Sequence, residues 1–353
     1  MSKAAICVVV PVYKAMATLD RCVESVLAQQ VEGGLTCILV DDGSPDESGA
    51  LCDAWAAKDG RVTVIHQDDL GVSGARNSGL AAADSEFIVF LDSDDALRPG
   101  ALQAALTAQR AAPQDFVVWH YTTDEKDPAA VTADAEPRTQ AGLARLWLDC
   151  LLAMPWNKLY RADLAKQLQF DVQYTLGEDL QFVLDYIALL GQTVPEFGYR
   201  VMTSPLTFYD CSRGGTLSTR YHANYCDIWP KHFAKLNAAC HAAACPAEDM
   251  RPLHRAELQV FAEGVADIMR RDPSPTQRLK GYKAEAALRS PWLRALLERM
   301  KIEHCYSAYY LPCRWRNVDL VCRVDEARRA NAPLYGKLDW AGYYLLLGRM
   351  RRD

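Results

Sequence analysis

Acidic clusters of three kinds stand directly after apolar runs in the chain: Asp41-Asp42-Gly43-Ser44, Gln67-Asp68-Asp69 and Asp92-Ser93-Asp94-Asp95. Carboxylates gathered in one place repel and raise one another's pKa unless a cation lies among them. A divalent metal would resolve that conflict. Asp92 and Asp94, two positions apart, point the same way if strand geometry persists, and hard oxygen ligands of this kind suit Mg²⁺ or Mn²⁺ better than zinc. Taken singly, Asp42-Gly43-Ser44 reads equally well as a turn and helix cap. Between the second and third clusters lies Gly71-Val72-Ser73-Gly74-Ala75-Arg76-Asn77-Ser78-Gly79, whose glycines permit close backbone approach. Arg76 in this stretch is a partner for phosphate or carboxylate. A second pair of carboxylates, Glu178-Asp179, opens an amphipathic run further on, where acids also suit the positive end of a helix dipole.

The elements that must position these groups alternate regularly. Apolar β-branched runs at 6–12, 37–40, 62–66 and 87–91 are separated by segments with helical spacing at 18–30, 46–57 and 73–83, the pattern of a parallel sheet covered on both faces. In such sheets ligands bind beyond the carboxyl ends of the strands, which is where the clusters fall. A helix near 99–110 and a strand at 116–120 follow, then a polar segment 122–138 that reads as loop or insertion. A helix is expected over 140–152, another over 178–190, short strands near Tyr199 and Leu206, and mainly helix over 221–353. The fold class is therefore α/β with a helical C-terminal region, and a boundary is expected near residue 220.

Composition narrows the function. Across 353 residues, 45 Asp and Glu oppose 39 Lys and Arg, a net charge of −6, the wrong sign for a general nucleic-acid binder. The charge is uneven: residues 280–353 carry 15 basic against 8 acidic side chains. Trp340, Tyr343, Tyr344 and Leu345–Leu347 precede Arg349, Arg351 and Arg352, a tail that suits peripheral contact with an anionic membrane or, equally, a packed helix with a solvated basic end. No apolar run reaches the roughly 18–20 residues of a membrane-spanning helix. Ala4–Val12 reads as a buried strand rather than a signal sequence. The 12 cysteines include no C-x-x-C pair and read as reduced thiols of a cytoplasmic protein. No nucleophilic Ser/His or Cys/His signature is present. A homodimer is compatible with the sequence, which does not fix the oligomeric state.

The order VVVPVY, LVDDGSPD, GVSGARNSGL, FLDSDD closely resembles the family 2 glycosyltransferases, whose fold is GT-A. The resemblance covers about residues 4–110 and continues into MPWNKLYRADL and LGEDLQF, similar to the acceptor-side part of bacterial members that build cell-surface polysaccharides. It implies a domain over 1–220, with a donor half to about 120 and an acceptor half to 220. It further implies that Asp41 and Asp42 hold the uracil and ribose of a nucleotide sugar, with Pro11 and Tyr13 in the base pocket. Asp92, Ser93 and Asp94 correspond to the D-x-D element, Asp94 reaching a Mn²⁺ or Mg²⁺ ion on the diphosphate. Asp179 matches the catalytic base, with Glu178 as fallback. Trp156, Asn157 and Lys158 fall on the acceptor side, where Trp156 would stack on a sugar or pack in the core, and Arg213 resembles a basic loop over the diphosphate.

The implied reaction is inverting transfer from a nucleotide sugar, with a UDP-sugar first in line, to a glycan or lipid-linked acceptor in the cytoplasm or at the inner membrane face. Lys14 departs from the pattern where asparagine is common, as does Gln30 for threonine. Two rivals stand beside this reading. A sugar-phosphate nucleotidyltransferase would want a glycine-rich basic loop where Pro11-Val12-Tyr13-Lys14 stands, and a non-catalytic sugar-nucleotide scaffold would not need Asp92, Asp94 and Asp179 intact.

Overall fold

A computed structural model describes residues 3–174, 176–212 and 220–331. The chain divides into two compact units, Met1–Gly214 and Gly215–Asp353.

The first unit is the α/β part. Its elements run β1 (Ala4–Val12), α1 (Leu19–Leu27), β2 (Leu35–Asp42), α2 (Ser48–Lys58), β3 (Val62–Gln67), α3 (Gly71–Ala82), β4 (Ser85–Phe90), β5 (Ala96–Leu97), α4 (Ala101–Ala111) and β6 (Phe116–Thr122). After these come β7 (Ala135–Thr139), α5 (Leu143–Leu148), β8 (Lys158–Arg161), α6 (Ala162–Ala165), α7 (Glu178–Thr193) and β9 (Gly198–Phe208). The sheet order is β3-β2-β1-β4-β8-β6-β9-β5, with β7 also on β9. The strands β3, β2, β1 and β4 are mutually parallel, while β8 runs antiparallel between β4 and β6. β1 is central, so Ala5 through Val12 are buried along their whole length, which is why the run shows no polar alternation. In α1, Leu19, Cys22, Val23 and Val26 are buried, the one-face spacing that seats a helix on a sheet.

Two expectations change here. The segment 122–138 contains an edge strand, β7, whose Pro137 and polar side chains suit an edge and hide it from a hydrophobic reading. The strands expected near Tyr199 and Leu206 are one element, β9, and its pairing with β6 slips where His120 faces Pro205, a residue with no N–H to donate to the ladder.

The second unit is helical: α8 (Tyr225–Ala242), α9 (Ala247–Arg271), α10 (Gln277–Leu288), α11 (Pro291–Ile302), α12 (Tyr310–Arg314) and α13 (Val318–Arg329). Its core joins Leu258, Phe261 and Val265 of α9 to Leu293, Leu296 and Met300 of α11 and Val321 and Val324 of α13. All 12 cysteines are free thiols, and Cys7, Cys22, Cys37, Cys52, Cys240, Cys305 and Cys313 are buried.

Candidate active site

Parallel strands β2, β3 and β4 deliver the three acidic clusters to one sheet edge, beside the place where the order turns from β2 to β4 about β1, the usual ligand position in open α/β sheets. Pro11 is buried within β1 and Tyr13, just beyond it, is 44% exposed. Asp41 and Asp42 close β2. Asp41 Oδ1 accepts the Ser44 N–H at 3.2 Å, and Oδ2 lies 3.0 Å from His66 Nδ1. Burial raises this carboxyl, but the bonds from Ser44 and His66 outweigh it and hold the group below the ordinary range. Asp42 Oδ1 accepts from Gln67 Nε2 at 2.7 Å and from the Leu70 N–H at 3.0 Å. Lys14 takes a left-handed φ of 52°; its N–H donates to Ser44 Oγ and its ammonium lies 5.0 Å from the Tyr13 ring centre. The two loops at the ends of β1 and β2 are thereby tied into one wall.

Arg76 is the centre of the second cluster. It stands on α3, 2% exposed, and donates through Nη2 to Asp92 Oδ1 at 2.8 Å and through Nη1 to Asp179 Oδ1 at 2.5 Å, with Glu178 4.0 Å away. Its neighbour Asn77 makes a reciprocal pair of bonds with the backbone of Phe170, both 2.8 Å, which docks the segment leading to α7. Strand geometry does not persist through Asp92-Ser93-Asp94-Asp95: β4 stops at Phe90 and the Asp95 N–H donates back to the Asp92 carbonyl in a turn. Asp92, Ser93 and Asp94 are half-buried on this turn, while Asp95 is fully buried. Asp95 Oδ1 accepts the Asp210 N–H at 3.0 Å, and its Oδ2 has no hydrogen-bond partner among the described residues. Burial and the nearby charge of Asp92 push this carboxyl far above the carboxylate range.

An oxygen-only donor set with an unsatisfied buried carboxyl beside it fits a hard dication such as Mg²⁺ or Mn²⁺.

Arg21 and Asp210 belong to the same neighbourhood and carry no sequence signature. Arg21 Nη2 donates to the Asp94 carbonyl at 2.5 Å and to Asp210 Oδ2 at 2.7 Å, linking α1, the turn after β4 and the end of β9. His66, by contrast, has a signal: the parallel register of β2 and β3 sets it beside Asp41.

The acidic pair of α7 is placed by aromatic packing. Phe182 stacks on Phe170 with ring centres 4.0 Å apart, and Tyr186 packs on Phe116 and Tyr160. Gly177, at a φ of 78°, caps the helix, so Glu178 and Asp179 begin its first turn facing Arg76. Burial raises the Asp179 carboxyl against the opposing pull of Arg76.

The structure places the three acceptor-side residues inside the fold. Trp156 is 3% exposed and stacks on Tyr209 at 5.3 Å, so it packs in the core. Asn157 and Lys158 are fully buried. Asn157 Nδ2 donates to the Trp119 and Leu151 carbonyls, and Lys158 Nζ donates to the carbonyls of Leu151 and Met154 and to Asn157 Oδ1. These side chains hold the segment before β8 and present no surface to an acceptor. Arg213 lies outside the described residues.

Residues 7–169 match the model of the family described as Glycosyl transferase family 2. Glycosyltransferase GlyG of Streptococcus pneumoniae serotype 4 is 39% identical over 124 residues, 35% of this chain and 41% of that protein. The uncharacterized glycosyltransferase EpsJ of Bacillus subtilis is 30% identical over 187 residues, 50% of this chain and 54% of that protein. The chain thus spans about half, or less, of these curated relatives. A crystal structure of S. aureus TarS 1–349 in complex with UDP-GlcNAc is similar with a TM-score of 0.61 at 17% identity, covering 93% of this chain and 92% of that one. That likeness establishes the fold, the GT-A arrangement expected from the sequence.

Proposed function

We propose that the chain, whose residues 7–169 match the model described as Glycosyl transferase family 2, is a metal-dependent, inverting glycosyltransferase. It moves a sugar from a nucleotide donor, a UDP-sugar in the first instance, to a glycan or lipid-linked acceptor of a cell-surface polysaccharide. The observation that carries this reading is Arg76, whose guanidinium joins Asp92 at the donor edge to Asp179 on α7.

Asp41 and Asp42 are suited to hold the nucleoside, because their carboxylates are already oriented by Ser44, His66, Gln67 and the Leu70 N–H. Asp92 and Asp94 would hold the dication, which when bound offsets the charge that grows on the leaving diphosphate. A sugar hydroxyl has a pKa far above 7, so a carboxylate must take its proton as it attacks the anomeric carbon. Asp179 has that role, with Glu178 beside it. A single base on the face opposite the leaving group gives direct displacement and hence inversion. Reduced thiols support a cytoplasmic setting, and among the described residues no helix is long and apolar enough to cross a membrane.

The test is titration with UDP-, GDP- and dTDP-sugars with and without Mn²⁺, following binding and slow donor hydrolysis. Asp179→Asn should keep donor affinity and lose about 10²- to 10⁴-fold in turnover, whereas Asp94→Ala should lose metal-dependent binding. Donor binding without turnover in the wild type would instead mark a scaffold, and no binding to any nucleotide sugar would sink the transferase reading.

A further inference from the structure

The helical unit carries a groove that the transfer reaction does not use. It encloses about 360 Å³ between the end of α10, one face of α11 and the turn after α12, a volume typical of small-ligand sites. Leu288, Leu293 and Leu297 line it and are all at least 94% buried. Trp315 also lines it and is 63% exposed.

Charge separates this groove from an ordinary apolar dimple. Arg289, Arg294, Arg314 and Arg316 line it against a single acid, Glu298. Arg314 is paired with Glu298 at 2.9 Å and Arg289 with Glu285 at 3.3 Å. Arg294 and Arg316 make no ion pair among the described residues, and both are exposed. Two uncommitted guanidiniums, an apolar slot and an exposed indole in one place match the chemistry of a phosphate head joined to a hydrocarbon chain. Indole rings favour the interface where headgroups meet acyl chains.

We propose that this groove docks the protein on an anionic phospholipid surface. A lipid phosphate sits between Arg294 and Arg316, and Trp315 enters the interface beside it. Charge complementarity selects the occupant, since four arginines against one glutamate call for an anion. The proposal is independent of the donor chemistry, and donor titration reads the two separately. It assigns membrane contact to residues 289–316, whereas the sequence pointed to Trp340–Arg352, which lie outside the described residues.

Co-sedimentation of the full chain with vesicles tests it, using phosphatidylcholine alone and phosphatidylcholine with one-third phosphatidylglycerol. The wild type should pellet with the anionic vesicles only and release as salt is raised. Arg294→Gln/Arg316→Gln should lower the partition coefficient about tenfold or more, since each basic residue near such a surface contributes about a fivefold factor. Trp315→Phe should retain partitioning while losing the part of the fluorescence quenching by brominated lipids that depends on Trp315. Circular dichroism melting of each variant establishes that it is folded. Equal pelleting of the double variant and wild type, equal binding to neutral vesicles, or wild type left in the supernatant would each overturn the proposal. So would loss of binding on Arg349→Gln/Arg351→Gln/Arg352→Gln with the groove intact, because the tail would then be the membrane element.

Discussion

Arg76 is held by two carboxylates from elements 16 and 103 positions away in sequence, and its own burial makes it hard to replace. Removing one partner of a buried ionic cluster leaves the others uncompensated and costs about 3–5 kcal/mol. Because Asp92 and Asp179 are each near 29% exposed, the low end of that range applies. Arg76→Met should therefore lower stability by about 3 kcal/mol in denaturant titration. It should also move activity along the pH axis. Arg76 opposes the burial that raises the Asp179 carboxyl, so without it the carboxyl rises further, and a base that must be deprotonated then works only at higher pH. The acid limb of the kcat profile should shift to the alkaline side; an unmoved limb would mean that Asp179 is not the group titrating. Asp41, Asp42, Asp92, Asp94, Glu178 and Asp179 are legible because each ends or follows a strand or opens a helix, whereas Asp210 stands in no acidic cluster. Arg21 is not legible either, since one arginine on an amphipathic helix looks like any other, and its partners Asp94 and Asp210 lie 73 and 189 positions away. Trp156, Asn157 and Lys158 are the opposite case: polar and aromatic types suggest a binding surface, while Trp156 packs in the core and the hydrogen bonds of Asn157 and Lys158 satisfy buried backbone carbonyls.

At the scale of elements, α3 sets where Arg76 lies, and α3 is seated by Gly79. A Cβ built on Gly79 would stand 2.3 Å from Val9 Cγ1 and 3.2 Å from Val40 Cγ2, so the helix lies against β1 and β2 at a spacing only glycine permits. Gly79 is one turn after Arg76 on the same helix. Gly79→Ala must push α3 outward or distort β1, an overpacking cost of about 1–3 kcal/mol, and it should draw the guanidinium from Asp92 and Asp179. We expect a lower melting temperature together with reduced turnover, while Ser78→Ala, at a half-buried neighbouring position, leaves turnover close to wild type. Reduced stability with normal turnover would separate the helix seat from the site. The alternation through α4 and β6, apart from β5, could be read because its strands are largely apolar and helices such as α1 and α4 bury one apolar face. The later sheet could not, because β5 has two residues, β7 is polar and β9 contains a proline; long-range pairing rather than local pattern makes them strands.

The whole molecule comprises an α/β unit and a helical one, and titratable side chains buried in the helical unit contribute to its response to pH. Glu257 on α9 is 1% exposed. Its Oε1 accepts from Asn237 Nδ2 at 2.7 Å, while His254, fully buried on the same helix, has Nδ1 2.6 Å from Glu303 Oε2. Burial pushes the Glu257 carboxyl up to about 8, with Glu303 adding to the rise and Asn237 and Arg299 opposing it. An acid raised in the folded state binds its proton more tightly there than in the unfolded chain. Its contribution is therefore fully present below the ordinary value near 4.5 and is lost as pH climbs through about 8. His254 works in the other direction. Burial lowers its pKa in spite of Glu303, so its contribution is present above the ordinary histidine value and is lost on acidification through the folded one. Replacing Glu257 with Gln keeps an oxygen for Asn237 and removes the titration. Glu257→Gln should consequently flatten the fall in melting temperature between pH 6 and 8, where each pH unit costs the wild type at most about 1.4 kcal/mol. Parallel curves for the two proteins would show that Glu257 is ionised in the folded state throughout, its charge balanced by Arg299.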